Sequence, residues 1–118
     1  MSGLEKYAYA NVSAERPFAN VAASQTDSQL LAGVAGKKIR VTALAFVCGA
    51  TATNATFNSK GSGAGVAISP LFANAANGGA ILPRNPDGWF ETVAGEALTL
   101  TTGAGSTLGV LVVCVKYG

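Results

Sequence analysis

The sequence predicts an all-β chain, an antiparallel β-sandwich of jelly-roll type with about eight strands behind an extended N-terminal arm. Three observations carry this reading. Short runs of alternating apolar and polar residues recur from about Ser24 onward. Clusters of Gly, Asn and Pro separate them at short spacing. After residue 24 no run keeps the 3.6-residue apolar period of a helix. At 118 residues the chain has room for one core, which divides it into an arm over 1–23 and a sandwich domain over 24–118.

The arm, MSGLEKYAYANVSAERPFANVAA, spaces Tyr7, Tyr9 and Phe18 among small residues, and Pro17 interrupts any continuous helix. With no long amphipathic repeat it cannot bury these rings by itself, so they need a surface, its own domain's or a neighbour's. The first strand of the domain is Asp27–Leu31, closed by the Gly33–Gly36 turn. The second, Lys38–Cys48, is long and rich in β-branched residues. Strict alternation puts Ile39, Val41, Ala43, Ala45 and Val47 on one face and Thr42, Leu44 and Phe46 on the other, so both faces are expected to be covered in its C-terminal half. In the third, Thr53–Ser59, Ala55 and Phe57 alternate with Asn54, Thr56 and Asn58, the pattern of a half-buried strand.

A fourth strand over Val66–Leu71 contains Pro70 and therefore belongs at a sheet edge or ends there. Asn77-Gly78-Gly79 turns the chain into Ala80–Pro83. Asn85-Pro86-Asp87-Gly88 has the order of a type I turn and delivers Trp89 and Phe90 into a further strand. Ala97–Thr102 and Leu108–Tyr117 complete the set.

Hydrophobic residues make up 49% of the chain and charged ones 12%, with a formal net charge of +2 and no His. High hydrophobicity excludes a disordered tail, and sparse charge argues against nucleic acid as a partner. Without His there is neither imidazole acid–base catalysis nor a His metal site. No apolar run reaches the 18 or so residues of a membrane span, and Met1–Ala10, carrying Glu5 and Lys6, has no apolar core of a secretory leader. Cys48 and Cys114 lie in apolar strand-like runs and read as inert core thiols. A disulfide between them would require the C-terminal strand to pair beside the Cys48 strand.

Several fragments imitate chemical motifs. Gly33–Lys38 has the look of a phosphate-binding loop, but Leu31 stands where its first Gly is needed and a strand follows in place of a helix. Gly61–Gly65 is a glycine cluster, again followed by a strand. Among the carboxylates only Asp87 with Glu91 or Glu96 forms a local cluster. Asp87 reads as a turn residue bonded to its own backbone, and Glu91 and Glu96 as solvated rim charges. No nucleophile–base pair is present, so the chain is expected to be no enzyme and to use no cofactor or metal. Lys37, Lys38 and Arg40 form a small basic group, with Lys38 and Arg40 on one strand face. The lone Trp89 is expected to plug one end of the core after its tight turn, the other reading being an exposed platform for a sugar ring.

Read in order, Val34–Val41, Asn77–Pro83, Asn85–Thr92 and Gly95–Leu100 resemble a family of small tailed-bacteriophage structural proteins with a β-sandwich body, found as capsid decoration (cement) proteins or virion-surface modules. The resemblance covers about residues 28–118 and leaves out the arm. It implies a homotrimer, made in the host cytoplasm and seated on the virion at threefold positions of an icosahedral head, where it clamps adjacent copies of the phage major capsid protein. Neither nucleic acid nor membrane is an expected partner. For such a role the arm supplies the contact residues to a capsid or neighbouring subunit: Tyr7, Tyr9 and Phe18 as anchors, with Lys6 and Arg16 as flanking polar contacts. The rival within phage biology is a trimeric fibre-tip or receptor-binding module that takes host glycans with Trp89 and the loops at 60–65 and 73–79.

Overall fold

The computed structural model describes residues 13–118, which form eleven strands and no helix. In chain order they are β1 (Ala14–Glu15), β2 (Phe18–Val21), β3 (Ser28–Leu31), β4 (Lys38–Cys48), β5 (Thr53–Lys60), β6 (Val66–Ala67), β7 (Phe72–Asn74), β8 (Gly79–Leu82), β9 (Phe90–Glu91), β10 (Ala97–Thr102) and β11 (Leu108–Tyr117). All pair antiparallel, in two sheets packed face to face. The larger sheet sets β1 and β2 along β11, β11 along β4, and β8 and β9 along the far side of β4; the smaller runs β3, β10, β5, with β6 and β7 both on β5.

The strands beyond the eight expected have local causes. Residues 14–21, read from sequence as arm, pair with β11 as β1 and β2, and Val21 reaches the core. Pro70, which has no N–H for a ladder, splits the expected Val66–Leu71 strand: only Val66–Ala67 pairs before it, and Phe72–Asn74 resumes after it. Both pieces sit at the edge of β5, where a proline belongs. At β8, Gly79 lies so close to the Phe46 carbonyl that a Cβ would collide with it, which explains a glycine at the start of this strand.

The core lies between the sheets. β4 contributes Ile39, Val41, Leu44, Phe46 and Cys48; β11 contributes Leu108, Val110, Val112 and Cys114; Ala55, Phe57, Leu98 and Leu100 face them from β5 and β10. Phe57 is the hub of an aromatic cluster, with ring centroids 5.4 Å from Phe90 and 6.2 Å from Phe72, while Phe46 meets Phe72 edge-on at 5.0 Å.

One irregularity in β4 decides which residues are outside. Val113 of β11 lies opposite Ala43, but the next residue, Cys114, lies opposite Val41. Thr42 is thus an extra residue, a β-bulge, and its hydroxyl donates to the Val113 carbonyl at 3.1 Å. The bulge shifts the alternation by one. Ile39 and Val41 face the core before it, Leu44, Phe46 and Cys48 after it, and all five are buried. This corrects the expected faces: Ala43, Ala45 and Val47 do not continue the Ile39–Val41 face but point out of the sandwich, with Val47 53% exposed. The expected cover on both faces is therefore absent within the described chain.

Candidate interaction face

The outer face of the larger sheet gathers Phe18, Val47, Ile81 and Leu111, four of the nine exposed large apolar side chains among the described residues. Phe18 is opposite Leu111, Leu111 opposite Ala45, and Ala45 opposite Ile81, so one cross-strand row runs through β2, β11, β4 and β8. Phe18 is 81% exposed, Leu111 43% and Ile81 78%. On one side the row is followed by Asn20, Gly109, Val47 and Gly79, and on the other by Val113 and Ala43. Small residues form a floor between the larger side chains, leaving a hollow of about 360 Å³ bordered by Phe18, Val47 and Ile81. A second hollow of about 200 Å³ lies over Ala43, Ala45 and Val113.

The outer face of the smaller sheet is built differently. Its outward residues are Asn54, Thr56 and Asn58 on β5 and Thr99 and Thr101 on β10. Three of them are tied together by hydrogen bonds: Asn58 Nδ2 donates to Thr101 Oγ1 at 2.8 Å and to Asp27 Oδ1 at 3.1 Å, and Thr99 Oγ1 donates to the same Asp27 oxygen at 3.0 Å. The two faces belong to one sandwich in one solvent, yet one is lined by polar side chains and the other is an uncovered apolar surface. This uncovered apolar patch is the candidate interaction face.

Beyond Val113 the apolar face changes character. A groove of about 550 Å³ carries Arg16, Arg40, Arg84 and Tyr117 over a floor that includes Val113 and Val115, with no carboxylate in its lining. Arg40 is held in place: its Nε donates to Glu91 at 3.3 Å, its Nη2 to the Tyr117 hydroxyl at 2.9 Å, and its guanidinium lies 4.4 Å from the Tyr117 ring centroid. The Tyr117 hydroxyl in turn donates to Glu91 at 2.6 Å, and Lys38 approaches the same carboxylate at 3.5 Å. Glu91 is held below the usual carboxylate range, chiefly by the Tyr117 hydroxyl and then by Arg40 and Lys38, against the opposing effect of burial. Among the described residues Arg16 and Arg84 have no carboxylate within ion-pair distance.

The candidate contact residues named from sequence divide in two. Lys6, Tyr7 and Tyr9 lie outside the described residues. Arg16 and Phe18 fall on this face, Arg16 in the groove and Phe18 at the end of the apolar row. Sequence reading missed Leu111, Ala45 and Ile81, because their outward direction depends on the bulge and on which strands are neighbours. An apolar run with no polar alternation, LGVLVV, was the available signal at β11.

Other expectations change as well. Trp89 does not plug the core; it is 42% exposed, and its indole Nε1 donates to the Pro83 carbonyl at 2.8 Å. Phe90 takes the inner position, since successive strand residues point to opposite faces. In the turn before it the side chain that bonds backbone belongs to Asn85, which accepts from the Asp87 N–H at 3.0 Å and donates to the Gly88 carbonyl at 3.3 Å; Asp87 offers only its amide. Glu91 and Glu96 are not simple rim charges. Glu91 closes the arginine–tyrosine network, and Glu96 accepts from the Ser59 hydroxyl at 2.6 Å. Among the described residues no three His, Cys, Asp or Glu side chains converge as a metal would require, and no helix is long and apolar enough to cross a membrane. Cys48 and Cys114 are both buried and free. Their strands do pair, but Cys48 lies opposite Leu108 and Cys114 opposite Val41, which sets the thiols about 20 Å apart along the sheet at the usual rise per residue.

The chain matches no protein-family model, no curated protein and no solved structure.

Proposed function

We propose that the protein is a structural subunit of a larger protein assembly, a bacteriophage virion component of the capsid-decoration kind that trimerises and clamps adjacent major capsid subunits. The observation that carries this reading is the apolar row Phe18–Leu111–Ala45–Ile81 on the outside of the larger sheet. A single folded domain gains nothing from holding these side chains in water, whereas a subunit gains by covering them. The small residues between Phe18 and Ile81 let a second surface approach to sheet-packing distance. The resemblance of residues 28–118 to phage decoration proteins supplies the identity of the assembly, and repeated contacts by one oligomer would resist separation of the shell because they must break together.

The reading is tested by the mass of the full chain in solution and by its binding to phage heads stripped of it. A trimer that loads heads to a fixed ratio is expected, and Ile81→Lys should stay folded while binding about tenfold more weakly or less. A stable monomer that leaves heads bare overturns the proposal. The exposed Trp89 ring favours the fibre-tip module as the second reading, and glycan binding lost in Trp89→Ala would establish it in place of the first.

A further inference from the structure

We infer that the apolar face of one copy receives residues 1–12 of the next copy, so that the segment is donated between subunits and does not fold back on its own sheet. The inference rests on the assembly reading above and names the occupant of that face.

Four observations point to this occupant. The first is reach. Twelve residues precede Ser13, and an extended chain of that length spans about 40 Å. The eleven residues of β4 cover about 36 Å at the usual strand rise, so the segment is long enough to cover the face. The second is direction. β1 runs antiparallel to β11, with Ala14 opposite Val115 and Glu15 opposite Cys114. Followed backwards from Ala14, the chain heads toward the Lys116–Gly118 end of β11, away from the row at Leu111. To lie on its own apolar row the segment would have to reverse the direction set by β1.

The third is chemistry. The segment MSGLEKYAYANV carries Leu4, Tyr7, Tyr9 and Val12 among small residues, the side chains that the hollows beside Phe18, Val47 and Ile81 would accept. Its one carboxylate, Glu5, sits beside Lys6, so the segment carries one side-chain charge of each sign, and Glu5 has a counterpart in the groove that continues the face, where Arg16 and Arg84 stand without an acidic partner among the described residues. The fourth is the role of Phe18. It lies on β2 as part of the receiving row and so belongs to the acceptor side, which separates it from Tyr7 and Tyr9 as donors. A donor segment and an acceptor face on different parts of one surface make a head-to-tail interface, the type that closes into a ring when the rotation between copies brings the last onto the first.

The experiment uses two full-length variants, Tyr7→Ala/Tyr9→Ala as the donor-defective chain and Ile81→Lys as the acceptor-defective chain, with masses read by light scattering. Ile81 is 78% exposed, so its replacement leaves the core intact, and thermal melting confirms that both variants are folded. Each alone should lose self-association about tenfold or more. Mixed, they should form a one-to-one heterodimer, because the intact donor of one meets the intact acceptor of the other and the ring cannot close. Leu111→Lys should replace Ile81→Lys in the mixture with the same result. Two variants that remain monomeric when mixed, or variants that associate like the parent chain, overturn the inference. Oligomers that form as described but do not load phage heads would remove the decoration reading and leave this one standing, and monomers that saturate heads would do the reverse.

Discussion

Asp27 holds the backbone amide of Gly65 at 2.9 Å through Oδ2, and its other oxygen accepts from Asn58 and Thr99. One carboxylate thus ties the 61–65 loop to β5 and β10. A Cβ at Gly65 would collide with this carboxylate, so the loop closes only with glycine there. The Gly65 amide is the main reason that Asp27 is held below the usual carboxylate range, with Thr99, Lys60 and Asn58 adding to it against the cost of burial.

Removing the carboxylate in Asp27→Ala should cost about 2 kcal/mol at neutral pH, the range for hydrogen bonds to a charged group. A depressed folded pKa means that the stabilisation is present above the unfolded value near 4 and is lost as pH falls through the folded value. The gap between parent and variant in urea denaturation should therefore shrink toward pH 2, while Gly65 gains hydrogen exchange in the variant at neutral pH.

Tyr117→Phe removes the hydroxyl that donates to Glu91 and accepts from Arg40. It should cost about 1 kcal/mol, and Glu91 should then titrate at higher pH, because its largest depressing contact is gone. A carboxyl titration followed by NMR checks the direction.

Thr42→Val keeps the bulge and loses the bond to the Val113 carbonyl, at a cost of about 1 kcal/mol. Deleting Thr42 is a different perturbation. It removes the extra residue, so Ile39, Val41, Leu44, Phe46 and Cys48 fall on one face by strict alternation, and the chain should keep a cooperative melting transition.

Burial pushes the Cys114 thiol up to about 11, with the Glu15 charge adding to it and Lys116 opposing. Cys114 should resist thiol reagents at pH 8 until the protein unfolds. Reductant should leave the melting temperature unchanged, since Cys48 and Cys114 are both free.

Phe57→Ala should cost 3 to 5 kcal/mol, roughly the range for truncating a buried phenylalanine, because Phe57 is fully buried at the centre of the aromatic cluster. Chemical denaturation measures it directly.

The fold class was legible because its signals are local. Alternation in Thr53–Lys60 and Ala97–Thr102 needs only neighbouring residues to be read, and the Asn85–Gly88 turn is written in four. The candidate face was legible only in part. Phe18 and Arg16 stood out as an aromatic and a cation in a stretch with no core of its own, but they were assigned to an arm when they belong to a sheet edge and a groove.

By itself, the sequence determined that this chain would fold as a β-sandwich of short antiparallel strands, because periodicity and turn chemistry act over a few residues. Which apolar residues would be left outside was decided by tertiary structure alone. Thr42 becomes a bulge only when β11 pairs with β4, and that one extra residue turns Ala43, Ala45 and Val47 outward beside Leu111 and Ile81. The same pairing fixes Cys48 and Cys114 apart and places Glu91 under Arg40 and Tyr117. Each depends on residues distant along the chain being brought into register, and a shift of one position would exchange the surface for the core.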